Sequence, residues 1–138
     1  MSAVPIHAAT SSDAIRLALE EVLKLPRAAY FAHPYPTFAE RKADLLKLKA
    51  FIKDNRDAIV DAISADYGNR SRHETLFAEI FSVVDGVEHT LKHLKTWMKP
   101  QRRGVDIKNF FGAKNRVVPQ PLGIVGAIVP WNFPIILS

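Results

Sequence analysis

Two hydrophobic periods divide this chain. As far as Met98, apolar residues recur every three or four positions, the spacing of helices that bury one face. From Gln101 onward the period shortens, and at Leu122–Val129 it gives way to an uninterrupted apolar run. The first helical stretch carries Ile15, Leu19, Val22 and Leu23, with Ser11 and Ser12 as candidate caps and Asp13 in the first turn, where the helix dipole favours an anion. Pro26 either ends or kinks that helix before Ala28–Phe31, and His33-Pro34-Tyr35-Pro36 reads as a linker.

Thr37-Phe38-Ala39-Glu40 has the form of a capping box and opens a helix whose buried stripe is Phe38, Arg41, Leu45, Leu48 and Ile52. A third helix is expected from about Arg56 to Tyr67, capped by Asn55, with Ile59 and Ile63 inward and Gly68 as its left-handed stop. Ser71-Arg72-His73-Glu74 is a second capping box, opening the longest helix, from about Arg72 to Met98. Its seam is Leu76, Ile80, Val83, Val87, Leu91, Leu94 and Met98. Burying one such leucine is worth about 1.5–3 kcal/mol, so the seam is structural first.

Beyond Gln101, Val105, Ile107 and Phe111 alternate with Asp106, Lys108 and Phe110, and Gly112-Ala113-Lys114-Asn115 supplies a turn, so a hairpin-like excursion is expected. Leu122–Val129 then reads as a strand covered on both faces, stopped by Pro130, with a helix start at Pro134. In open α/β sheets ligands sit beyond the carboxyl ends of strands, which singles out Asn132, the polar side chain in that turn. Its amide is a neutral donor suited to a developing oxyanion; on spacing alone the plainer reading is a turn asparagine.

The run from Pro121 to Pro134, PLGIVGAIVPWNFP, resembles the signature that opens the cofactor-binding domain of the aldehyde dehydrogenase superfamily, and SADYGNRSRHET (Ser64–Thr75) is similar to the same place in its coniferyl aldehyde dehydrogenase branch. The resemblance extends over nearly the whole chain beyond the first dozen residues. It implies an α/β fold of the aldehyde dehydrogenase type: an N-terminal helical segment (1–100), an arm like the family's oligomerisation hairpin (101–121), and the first strand of a Rossmann-like NAD(P)-binding domain (122–138), truncated within a larger protein. It implies oxidation of an aldehyde, coniferyl or related, to a carboxylic acid with NAD or NADP. The family attacks the aldehyde with a cysteine thiolate, holds the oxyanion with an asparagine amide and a backbone N–H, passes hydride to nicotinamide, and releases the acid with a glutamate-activated water. The oxyanion asparagine falls on Asn132, and Ile128, Val129, Pro130 and Trp131 fall where the family's chain borders the dinucleotide. A homodimer or homotetramer is implied for the full-length protein, and the fragment alone is expected to be inactive.

Composition narrows the alternatives. The chain has 138 residues, 48% of them hydrophobic and 24% charged, which is globular composition and enough for one domain with a core. With no cysteine, it offers neither disulfide, thiolate metal site nor nucleophilic thiol. The net charge of +5 is scattered among acidic residues and does not mark a nucleic-acid site. From Val117 to Ser138 there is no charge, but Pro119, Pro121, Pro130 and Pro134 each oppose a spanning helix at about 3 kcal/mol, so no membrane partner is expected. The N-terminus lacks a basic start and an apolar run, and a cytoplasmic address follows by default. His89 and His93 have the spacing of a metal pair without an acidic third ligand at matching spacing, so no metal is assigned. Gly123 and Gly126 do not form a dinucleotide fingerprint. Two other classes compete with the enzyme: a helical interaction module with an apolar docking tail, and a basic nucleic-acid-binding domain.

Overall fold

At Thr37 the expected capping box closes. The Glu40 amide donates to Thr37 Oγ1 (3.3 Å), and Glu40 Oε2 accepts from the Thr37 amide (2.7 Å). In the computed structural model, which describes residues 12–138, this box starts α2 (Phe38–Asp54), followed by α3 (Arg56–Asp66), α4 (Arg72–Thr75), a π-helical segment (Leu76–Phe81) and α5 (Ser82–Trp97). These elements belong to a unit comprising Tyr35–Pro121 and Gly126–Ser138. α5 packs on α2, and Ile52, Val60 and Ile80 form the core with Ile59, Leu76, Val83, Val84 and Ile135 against it.

The seam of the longest helix turns inward as its spacing requires: Ile80, Val87 and Leu94 are buried, and Leu76, Val83, Leu91 and Met98 half-buried. What periodicity does not foresee is the π turn inside it. The stripe of α2 is also followed, except that Leu48 is exposed and the neighbouring Lys49 lies half-buried, its ammonium 2.7 Å from Glu88.

Two caps differ from expectation. Asn55 precedes α3 without a side-chain cap bond; its Nδ2 donates back to Phe51 O (2.8 Å), closing the helix before it instead. Ser71 likewise makes no side-chain cap bond, and the Glu74 carboxylate that would accept from the Ser71 amide in a box pairs with Arg70. Gly68 stops α3 with φ +76°, the left-handed conformation that favours glycine.

The arm is a short antiparallel hairpin, β1 (Gln101–Arg103) with β2 (Asn115–Val117), in the register Gln101–Val117, Arg102–Arg116, Arg103–Asn115. Its strands lie further out than the alternation at Val105–Phe111 suggests. There Asp106 folds the chain into a turn, accepting from the Lys108 amide (3.1 Å) and Asn109 Nδ2 (2.6 Å), while its carbonyl accepts from the Phe110 amide (2.9 Å).

Leu122–Val129 forms no strand, contrary to the α/β expectation that places the first strand of a Rossmann-like domain there. A covered strand exists only where neighbours present their N–H and C=O groups, and among the described residues the two strands pair only with each other. Leu122 is accordingly 93% exposed, and Ile128 fully so. Nor does Pro134 open a helix of any length: a single turn follows, closed by the Ser138 amide on Ile135 O (3.3 Å).

The second unit holds α1 (Ser12–Ala32) and Leu122–Val125. α1 runs through Pro26 without ending and buries none of its residues; the candidate cap Ser11 lies outside the described residues. Gly123, at φ +101°, has the Tyr30 ring 3.3 Å from where a Cβ would stand, so this position favours glycine on both counts. Among the described residues no helix is long and apolar enough to cross a membrane.

Candidate functional site

Past the end of α3, the left-handed turn at Gly68 brings Arg70 back under the helical layer, where its side chain is 5% exposed. A guanidinium so placed must spend its donors on protein. Nη1 donates to Glu79 Oε1 (3.2 Å) and to the main-chain oxygen of Asn132 (2.9 Å), and Nη2 to Glu74 Oε1 (3.3 Å). Its planar faces are covered by the rings of Tyr67 and Phe133, at 5.3 and 5.2 Å, a stacked arrangement that suits arginine and not lysine.

Glu79 lies in the π-helical segment with no exposure at all. Both carboxylate oxygens are used, Oε1 by Arg70 and Oε2 by the amides of Ile135 (3.0 Å) and Ile136 (2.9 Å). Those amides open the single turn after Pro134. A first turn leaves N–H groups without helical partners, and here a carboxylate from another helix accepts them. Tyr67 completes the arrangement by donating its hydroxyl to the Trp131 carbonyl. The Trp131–Ile136 main chain is thus tied down at four groups by residues about sixty positions earlier.

Asn132 itself is exposed. Its main chain is held by Arg70, and the residue lines an open cleft of about 340 Å³ together with Tyr67, Asn69, Arg70, Ser71, Glu74 and Phe133. That volume is at the small end of what ligand sites use. The other candidates at this turn are not gathered into the cleft. Ile128 is fully exposed and Trp131 90% exposed, with Val129 half-buried and Pro130 exposed between them. An accessible indole beside aliphatic surface could take a flat aromatic ring, and the run 128–131 carries no charged side chain. The His89 and His93 rings lie tilted against one another at 4.4 Å, and His93 stacks on Trp97 at 5.7 Å, along one side of α5.

Arg70 and Glu79 escape a reading by periodicity because charged residues default to the surface. A signal was present: Glu79 stands three residues after Leu76 and four before Val83, on the buried seam itself. An acid there must be neutralised from inside.

Residues 5–138 match the aldehyde dehydrogenase family. Over 120 residues the chain is 43% identical to a probable coniferyl aldehyde dehydrogenase of Pseudomonas aeruginosa, an overlap of 87% of this chain and 25% of that protein. It is similar to a coniferyl aldehyde dehydrogenase of Pseudomonas sp. strain HR199, 47% identical over 89 residues, which is 64% of this chain and 18% of that one. With a probable coniferyl aldehyde dehydrogenase of Caulobacter vibrioides it shares 33% identity over 130 residues, 93% of this chain and 27% of that one. The chain therefore spans between 18% and 27% of the length of these relatives.

Proposed function

Because the chain belongs to the aldehyde dehydrogenase family, we propose that it serves as the opening part of a cytoplasmic enzyme that oxidises an aldehyde to a carboxylic acid with NAD or NADP. Coniferyl aldehyde is the substrate that the relatives' names favour. The observation that carries this reading is the Trp131-Asn132-Phe133 turn, whose main chain is held by Tyr67 and Arg70 while Asn132 is exposed and lines the cleft.

In that reading Asn132 Nδ2 donates to the carbonyl oxygen of the aldehyde as charge develops on it. A donor already held in place needs no reorganisation at the moment of reaction, which is why such groups are worth so much. Ile128, Val129, Pro130 and Trp131 border the dinucleotide with apolar surface, excluding water from that side. When bound, the dinucleotide supplies the hydride acceptor. The nucleophilic thiol must come from outside this sequence, which has no cysteine. We assign residues 1–100 to the helical layer, 101–121 to an arm that joins subunits in a homodimer or homotetramer, and 122–138 to the start of the NAD(P)-binding domain. The docking-module and nucleic-acid readings draw no support from the relatives.

The test is Asn132→Ala in the polypeptide that carries this chain together with the catalytic cysteine. Turnover should fall about 10²- to 10³-fold. Near-normal turnover removes Asn132 from the chemistry. The 138-residue chain alone should reduce no NAD with any aldehyde, and activity there would defeat the assignment.

A further inference from the structure

We propose that Tyr67, Arg70 and Glu79 are positioning residues for Asn132, fixing where its carboxamide stands relative to the reacting oxygen; the inference rests on the oxyanion role proposed above. An ion pair that only held helices together would direct its hydrogen bonds at helices. Here Arg70 Nη1 reaches Asn132 O, Glu79 Oε2 reaches the Ile135 and Ile136 amides, and the Tyr67 hydroxyl reaches Trp131 O. Attachment on both sides of the Asn132 Cα leaves its side chain little freedom except rotation about its own bonds.

Phe133 strengthens the constraint. Its ring lies against the guanidinium that binds the preceding carbonyl, so the main chain on the C-terminal side of Asn132 is held by a hydrogen bond and a face contact together. The carboxylate behind them is fully buried, and both its oxygens are engaged. An oxyanion donor works only within about 2.7–3.1 Å of the oxygen it stabilises. Displacements of about 1 Å cost on the order of 10²-fold in rate. A clamp on Asn132's main chain therefore acts on turnover through the carboxamide without touching substrate.

Glu79→Gln is the informative variant. It keeps the volume but replaces one acceptor oxygen by an NH₂ that must face either the Arg70 guanidinium or the Ile135 and Ile136 amides. In the cysteine-bearing polypeptide, kcat should fall about 10- to 100-fold, with KM for aldehyde and for NAD changed by no more than about 2-fold. Tyr67→Phe removes a hydroxyl from a residue 44% exposed, so it spares the fold and should lower kcat about 3- to 10-fold. The decisive comparison is each variant in an Asn132→Ala background, where the further loss should shrink to less than about 2-fold. Losses that multiply in full there show a merely structural role and overturn the inference, as does unchanged kcat in both single variants while Asn132→Ala is impaired. If Glu79→Gln does not fold, the Tyr67→Phe pair of measurements decides alone. Near-normal turnover in Asn132→Ala instead defeats the oxyanion reading, and this inference with it.

Discussion

Removing the Glu79 side chain tests the buried clamp as a matter of stability, before any catalysis is considered. In Glu79→Ala the Ile135 and Ile136 amides lose their acceptor, and one Arg70 donor loses its carboxylate. Ile135 and Ile136 are only half-buried, so water reaches their amides in part and each costs about 1 kcal/mol, the low end for an orphaned donor. Arg70 retains Asn132 O and Glu74, but a guanidinium this deeply buried that loses its main partner is destabilising by a few kcal/mol more. The total should be about 4–6 kcal/mol. Glu74 supplies the contrast: its side chain is 56% exposed, and Glu74→Ala should cost no more than about 1 kcal/mol despite contacting the same arginine. Urea denaturation of the 138-residue chain, followed by far-UV circular dichroism, measures both. If Glu79→Ala costs no more than Glu74→Ala, Glu79 is not the buried anchor described here.

Three further outcomes follow from the helical layer. Thr37→Ala opens the capping box of α2 and should cost about 0.5–2 kcal/mol, read from the urea midpoint. Ile52→Ala hollows the core where α2 meets α5 and should cost about 2–5 kcal/mol by the same measurement, whereas Leu48→Ala on the exposed side should cost far less. Acid stability should also respond to the surface ion pairs. The hydrogen bond from Arg56 holds the Asp57 carboxyl below its usual range, and Lys49 does the same to Glu88. Folded values below the unfolded ones, which lie near about 4, stabilise the protein above that pH and lose the effect as pH falls through the folded values. The gap in urea midpoint between the parent and the Asp57→Asn, Glu88→Gln double variant should therefore narrow on going below about pH 4; a constant gap would mean that neither pair is coupled to folding.

How much of this was legible in the sequence depends on how local the determinant is. The box at Thr37, the glycine stop at Gly68 and the seam from Leu76 to Met98 are set by residues within one or two turns, and each forms. Asn55 failed as a side-chain cap for a competitive reason, having found a carbonyl behind it, and in the second box the Glu74 carboxylate found Arg70 instead of the Ser71 amide. Pattern alone does not rank two partners for one group. Leu122–Val129 has a strand's composition but lacks neighbouring strands among the described residues, and a covered strand is a property of the sheet rather than the segment. The W-N-F-P turn singled out Asn132 in the sequence, whereas Tyr67, Arg70 and Glu79 meet that turn from about sixty residues away. Only the acid on the buried seam hinted at them. The π-helical turn that carries Glu79 has no counterpart in any period of the sequence, although such turns recur at functional sites.

The account turns on where one carboxamide points when substrate is present. A crystal structure of the cysteine-bearing polypeptide with an aldehyde bound measures this directly. The prediction is Asn132 Nδ2 within about 2.7–3.1 Å of the aldehyde oxygen, with Arg70 still on the Asn132 carbonyl and Glu79 still on the Ile135 and Ile136 amides. An Asn132 side chain turned to bulk solvent, with another group donating to that oxygen, would contradict it.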